Sequence, residues 1–415
     1  GQTLPSLIVC PASLVLNWAE ECQKFTPELS CVVVDGDAAH RAELAESWPA
    51  ADLVVTSYDL LRRDEALYEG QEFYACILDE AQAIKNHTTQ KYKAVCKVRS
   101  RVRFALTGTP VENRLGELWS IFSFLMPGYL PPYKSFCSRF EKPIVQEEDQ
   151  TAVRRLNQLT GPFILRRMKS DVLKELPPKT ENVYRIELEE EQRKLYLAAV
   201  VDAREKLKAA KPEDKMAVFA VLMRLREICC DPRLIADNWE GGSAKLDACV
   251  ELVSSAVEGG HRILLFSQFT SMLELLAKRL DAEGISHFTL QGSTPKPVRA
   301  ELVRRFNGGE VSVFLISLRA GGTGLNLTAA DIVIHYDPWW NVAAQNQATD
   351  RAYRIGQQNP VQVYKLIAQD TIEEKIVELQ QAKQSLADTV TGTADGAILS
   401  MRPDELLQLL EGSEP

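Results

Sequence analysis

Short apolar runs of strand length recur along this chain, separated by stretches that read as helical. In the first half the runs are Leu7–Cys10, Cys31–Val34, Leu53–Thr56, Ala75–Leu78 and Arg103–Leu106, with helical stretches such as Ala38–Ser47 between them. In the second half they are Arg262–Phe266, His287–Leu290, Val313–Ile316, Ile332–Tyr336 and Val361–Leu366. Glu274–Glu283 and Arg299–Asn307 read as the helices between those runs. Short β-rich runs alternating with helices imply parallel sheets covered on both faces, an α/β fold. Ligands of such sheets bind at the carboxyl ends of the strands. Asp79, Thr107 and Ser317 fall there.

Between the halves the pattern changes. Leu188–Ala210 is rich in Glu, Lys, Leu and Ala and predicts a long helix. Lys211-Pro212 breaks it, and Lys215–Ile228 predicts a second helix. Pro-Pro cannot continue a helix, so Leu176-Pro177-Pro178-Lys179 reads as the hinge. The expected division is a first α/β part over 1–178, a helical insert over 179–240, a second α/β part over 241–390 and a tail over 391–415. Within the tail, Thr391–Gly396 reads as a loop and Pro403–Leu410 as a short helix.

Composition narrows this picture. A chain of 415 residues exceeds the size at which one core stops growing, so more than one domain is expected. Apolar residues at 45% and charged residues at 25% describe an ordinary globular protein. No apolar run approaches a membrane span, so no membrane partner is expected. The nine cysteines form no CxxC pair and read as buried thiols of a reducing compartment, not as a zinc site. The net charge of −9 argues against a polyanion ligand in bulk, although a local basic stripe suffices for a DNA track. Local candidates are Arg166-Arg167-Met168-Lys169, Arg299 to Arg305, and Arg319; each alone reads more readily as a solvated face.

The candidate chemistry begins at Asp79-Glu80-Ala81-Gln82, directly behind the apolar run Ala75–Leu78. Two adjacent carboxylates at a strand tip suit nucleotide hydrolysis: one can hold Mg²⁺ through a water, and the other can orient the attacking water. Alone the pair is weak evidence, since a strand followed by DE arises by chance. Thr107-Gly108-Thr109-Pro110 follows the strand Arg103–Leu106. Far downstream stands Gln347-Ala348-Thr349-Asp350-Arg351-Ala352-Tyr353-Arg354-Ile355-Gly356-Gln357. If that stretch is helical, Arg351 and Arg354 share one face and can clamp a triphosphate. Two arginines alone would be an ordinary basic helix face. The order DEAQ, TGTP, DRAYRIGQ is more specific than any one part.

In that order the chain resembles the motors of Swi/Snf-type ATPases, a branch of the superfamily-two helicases. Leu7–Trp18 matches the family's motif Ia, Val54–Tyr58 its Ib, Asp79–Gln82 its II and Leu106–Asn113 its III. Ile263–Phe269 matches IV, Ser317–Asn326 and Tyr336–Asn341 match V with its extension, and Gln347–Gln357 matches VI. The resemblance covers nearly the whole chain. It implies two RecA-like lobes, parallel sheets flanked by helices, with a helical protrusion between them that hangs on the second. One departure is large: the family's phosphate loop, GxGKT, precedes motif Ia, and no GKT or GKS occurs here. The chain is therefore expected to be a fragment, inactive alone. Because the family's phosphate-loop strand lies inside its sheet, a gap or unpaired backbone is expected in the first lobe. Smaller departures are Val342, Gln345 and Tyr353, where the family commonly has proline, glutamate and histidine.

The resemblance assigns roles. ATP and Mg²⁺ are the implied cofactors, with Asp79 organising Mg²⁺ through water and Glu80 positioning the attacking water. Arg351 and Arg354 would stabilise charge on the transferring phosphoryl group. Gln82, Thr107, Thr109, Gly322, Gly324, Gln347 and Asp350 would couple ATP to lobe motion. Pro11, Ser13, Asn17, Thr56, Ser57, Ser267, Gln268, Arg319 and Gly321 would contact DNA without reading its sequence. The implied output is translocation on double-stranded DNA and remodelling of protein–DNA complexes. The implied partners are duplex DNA and a DNA-bound complex such as RNA polymerase or another nucleoprotein. Trp339-Trp340 reads equally as core or as lobe interface. The location would be cytoplasmic and nucleoid-associated in a bacterium or archaeon, nuclear in a eukaryote; the short insert suits a compact bacterial or archaeal member. Two other readings stay open: a non-catalytic DNA- or protein-binding scaffold without a phosphate loop, and a strand-separating helicase, which would share the lobes but not the WWN and RIGQ signatures.

Overall fold

The computed structural model describes residues 4–108, 115–147, 149–165, 167, 176–211, 214–236, 238–318, 325–339, 342–380 and 403–411. They fall into two compact units that divide at Arg166 and Arg167. The sequence places the division at Pro177-Pro178, further along. No helix among the described residues is long and apolar enough to cross a membrane.

The first unit is built on a parallel sheet of β1 (Ser6–Cys10), β2 (Cys31–Val33), β3 (Leu53–Ser57), β4 (Glu72–Leu78) and β5 (Arg99–Ala105), in the order β2-β3-β1-β4-β5. Successive residues of β1 point to opposite faces. Leu7 and Val9 join one core with Ala45 of α2 (Ala38–Ser47) and with Tyr58 and Leu61 of α3 (Tyr58–Arg63), while Ile8 and Cys10 join another with Val15 of α1 (Val15–Phe25). Residues apolar on both faces are what two covered faces require. The sheet has no internal gap, because β4 pairs directly with both β1 and β5. The open flank is instead β5, where Val102, Phe104 and Leu106 are exposed.

The second unit carries a parallel sheet in the order β6-β11-β10-β7-β9-β8. Its strands are β6 (Lys179–Ile186), β7 (Ile263–Ser267), β8 (His287–Leu290), β9 (Val313–Ser317), β10 (Ile332–His335) and β11 (Val361–Ala368). Ile263 and Leu265 pack with the helices Ala244–Glu258 and Thr270–Ala282, while Leu264 and Phe266 face Phe306 of the helix Lys296–Asn307. Strand β6 corrects the sequence reading, which gave residues 179–186 to the helical insert. Its side chains are almost all exposed, so no apolar pattern betrays it; its backbone joins the sheet edge beside β11.

The long insert helices run over Glu190–Ala209 and Lys215–Cys230. Their shared core contains Leu222, Leu225, Ile372, Ile376, Leu406 and Leu410. The C-terminal helix Pro403–Glu411 therefore belongs to this helical layer and not to a separate tail. Arg204 donates to its Leu410 carbonyl at 2.7 Å.

Candidate nucleotide-hydrolysis site

In the first unit the site is assembled at the tip of β4. The sheet continues past the strand: Asp79 N donates to the Val9 carbonyl and Ala81 N to that of Leu106. Between them Glu80 adopts φ of 50°, the left-handed region. A non-glycine residue there carries strain of about 1–3 kcal/mol. The two consecutive carboxylates there take different partners. Asp79 Oδ1 accepts from Glu80 N at 2.9 Å and Oδ2 from the indole Nε1 of Trp18 at 2.8 Å. The hydroxyl of Tyr58 donates to the Asp79 carbonyl at 2.9 Å. Burial first, and then the charge of Asp79, pushes the Tyr58 hydroxyl far above its ordinary pKa, so it stays a donor. Gln82 links the rest: its Nε2 donates to Glu80 Oε2 at 2.6 Å and its Oε1 accepts from Thr107 Oγ1 at 2.7 Å. Motifs II and III are thus joined by one chain of hydrogen bonds. Trp18 and Tyr58 close the motif Ia and Ib stretches, where no local signal sets them apart from their neighbours Asn17 and Ser57.

Asp79 fits a magnesium site of the substrate-bridged kind. It offers a hard oxygen ligand at a strand tip, and no group of three or more His, Cys, Asp or Glu side chains that could hold a metal occurs among the described residues. Mg²⁺ commonly binds through one or two carboxylates plus substrate phosphates, and not in an all-protein cage.

In the second unit, the tips of β7 and β10 meet at Asp337, which is fully buried. Its carboxylate accepts from Ser267 Oγ at 2.6 Å, from Gln268 N at 3.2 Å and from the guanidinium of Arg226 at 3.2 Å. Burial pushes the Asp337 carboxyl up, while Arg226 and Ser267 pull it down. Arg226 lies on the second insert helix and also donates to the Pro338 carbonyl. The insert is thereby bolted to the strand tips that carry motifs IV and V. Trp339 packs on the helical layer, and Trp340 lies outside the described residues.

The arginines of motif VI do not share a helix face. The helix Val342–Thr349 ends before them. Arg351 and Arg354 sit in the turn that follows, the first 4% exposed and the second exposed to solvent. The physical reason lies in the turn itself: Leu327 N donates to the Arg351 carbonyl, and buried Gln357 donates to the Ala330 carbonyl at 2.7 Å. Those bonds tie the segment to the strand-connecting loop. Gln347 and Asp350 are half-buried at the same end.

The DNA residues separate. Ser13 and Asn17 are exposed, and Pro11 and Gln268 are half-buried. The side chains of Thr56, Ser57 and Ser267 are buried and engaged within the protein, a correction to their reading as phosphate contacts. Thr56 Oγ1 accepts from Tyr68, Ser57 Oγ caps α3 through Leu60 N, and Ser267 holds Asp337. The basic run from Arg299 is likewise engaged. Arg299 donates to the carbonyls of Gly292 and Thr294 at 2.8 Å, Arg304 pairs with Glu301, and Arg305 with Glu310. Thr109, Arg319, Gly321, Gly322 and Gly324 lie outside the described residues, as do Arg166, Met168 and Lys169.

Two parallel α/β units, the first with Asp-Glu just past a strand tip, are the architecture of α/β proteins that bind ligands at the carboxyl ends of their strands. A family model described as the SNF2-related domain matches residues 1–234, and one described as the helicase conserved C-terminal domain matches residues 244–356. The chain belongs to the Swi/Snf-type, SNF2-related family. It is similar to an uncharacterized ATP-dependent helicase of Mycoplasma pneumoniae, 40% identical over 413 residues, which are 98% of this chain and 39% of that protein. It is also similar to the mouse SWI/SNF-related matrix-associated actin-dependent regulator of chromatin subfamily A member 1, 35% identical over 426 residues, 98% of this chain and 40% of that protein. The chain thus spans about two fifths of these relatives. Among solved structures, the Sulfolobus solfataricus SWI2/SNF2 ATPase core in complex with dsDNA is 35% identical and has a TM-score of 0.49. That match covers 97% of this chain and 86% of that one.

Proposed function

We propose that residues 1–415 are the larger part of a DNA-stimulated ATPase motor that translocates on duplex DNA and remodels protein–DNA complexes. The observation that carries this reading is the strained Asp79-Glu80 step, with Glu80 tied through Gln82 to Thr107. Strain of this kind persists where function needs it. In this reading Asp79 holds Mg²⁺ through water, and the ion, when bound, neutralises charge on the phosphate oxygens. Glu80 orients the attacking water, while Gln82 and Thr107 hold Glu80 in place. Arg351 and Arg354 stabilise the charge of phosphoryl transfer, a contribution worth about 10³–10⁵ in turnover for such arginines. Ser13, Asn17 and Gln268 are the candidate contacts to DNA phosphates.

Turnover is read on the full-length protein, since residues 1–415 contain no GxGKT. There Glu80→Gln should abolish DNA-stimulated hydrolysis while nucleotide binding persists, because the water loses its orienting carboxylate and the phosphate contacts remain. Retention of turnover by that variant would sink the catalytic reading. A full-length protein that binds duplex DNA without any hydrolysis would instead support a non-catalytic scaffold.

A further inference from the structure

Trp18 and Tyr58 have no part in the roles assigned above, yet both end on Asp79. Trp18 follows Asn17 on α1: Asn17 is exposed, while the indole of Trp18 turns inward to Asp79 Oδ2. Tyr58 opens α3 and reaches the Asp79 main-chain carbonyl. The two helices follow the tips of adjacent strands, β1 and β3, and each sends one donor to the same aspartate. Glu80 N occupies the other carboxylate oxygen. Each carboxylate oxygen has two lone pairs, so Trp18 and Glu80 N set the plane of the group and leave one lone pair on each oxygen for the water shell of a cation, while Tyr58 holds the main chain that carries it. The rings alone would satisfy packing, since Trp18 lies against Val15 and Val55, and Tyr58 against Val54 and Leu61. The polar atoms are spent on Asp79.

We propose that Trp18, through the Asp79 carboxylate, and Tyr58, through the Asp79 main-chain carbonyl, are positioning residues that couple α1 and α3 to Asp79, so that duplex DNA engaging the exposed Ser13–Asn17 edge changes ATP turnover through Asp79. The inference rests on the ATPase reading above. The bond from Trp18 to the charged carboxylate is short and directional, so a small shift of α1 turns that group, and a shift of α3 moves through Tyr58 the main chain that carries it.

The test uses Trp18→Phe, Tyr58→Phe and Glu80→Gln in the full-length protein. Each of the first two keeps a ring and deletes one donor. The ratio of DNA-stimulated to DNA-free turnover should fall about tenfold in Trp18→Phe, the order set by a hydrogen bond to a charged group, and about fivefold in Tyr58→Phe, the order of a neutral one. Duplex affinity should stay within about twofold of the unsubstituted protein, since neither donor is assigned to DNA. A purely packing role would lower the unfolding midpoint and leave the ratio alone. A ratio that stays within about twofold of the unsubstituted value in either folded variant overturns the proposal, because the loss of either bond exceeds that. If Trp18→Phe does not fold, Tyr58→Phe, which lacks only a hydroxyl, decides alone. Turnover surviving Glu80→Gln would strike the ATPase reading instead, so the two failures are distinguishable.

Discussion

Glu80 concentrates the tension between stability and chemistry. Its φ of 50° is a conformation that glycine adopts freely and other residues resist. Three fixed points hold it there: Asp79 N on the Val9 carbonyl, Ala81 N on that of Leu106, and Gln82 on its own carboxylate. Replacing it should separate strain from function. Glu80→Ala keeps the strain, whereas Glu80→Gly relieves it but loosens the unfolded chain by about 0.5–1 kcal/mol. With strain of about 1–3 kcal/mol released, Glu80→Gly should be the more stable of the two by about 1 kcal/mol in chemical denaturation. An alanine variant as stable as the glycine one would show that the strain is not there. The carboxylate pair was legible in the sequence. The left-handed step was not, because it follows from hydrogen bonds to residues far away in the chain.

At the scale of elements, the junction around Asp337 joins two strand tips and an insert helix through one buried charge pair. Arg226 and Asp337 are both fully buried. Removing one partner of such a pair leaves an uncompensated charge and costs about 3–5 kcal/mol. Asp337→Asn should therefore lower stability sharply, and Arg226→Met added to it should recover much of the loss, as a double-mutant cycle in denaturant would read. Additive losses would show that the two do not act as a pair. The insert helices over Glu190–Ala209 and Lys215–Cys230 follow their helix-forming sequence closely. Strand β6 does not follow its sequence. Its Glu181 lies between Lys179 and Lys365, each at 2.8 Å, and against the cost of burial those lysines hold its carboxyl down at about 2. A polar edge strand of this kind is specified by its neighbour's free backbone, not by its own pattern.

For the whole molecule, electrostatics sets the expectation for DNA. A net charge of −9 opposes a polyanion, and the run from Arg299 to Arg305 is largely taken up by internal carbonyls and carboxylates. Binding of residues 1–415 to duplex DNA should therefore be weak, tolerant of sequence and steeply salt-dependent, with a slope near −0.9 per neutralised phosphate. Arg304→Ala should leave that slope unchanged, because its guanidinium already serves Glu301. Fluorescence anisotropy across a salt series measures both. Salt-independent binding, or strong preference for one sequence, would tell against a phosphate track.

The sequence by itself determined the α/β class, the order of the motifs, the insert helices and the Asp-Glu pair. These are local: apolar runs of strand length, helix-forming composition and short motifs are all written within a few residues. Only the tertiary structure decided which of the motif residues face outward. Thr56 and Ser267 read as phosphate contacts, but Tyr68 and Asp337, distant in sequence for Ser267, claim their hydroxyls inside the protein. Arg351 and Arg354 read as one helix face, but bonds from Leu327 and Gln357 hold them in a turn. Trp18 and Tyr58 read only as the ends of motifs, and the parallel pairing of β1 with β3 and β4 brings both to Asp79. A buried polar group takes whatever partner the packing supplies, and that partner is a property of the folded chain.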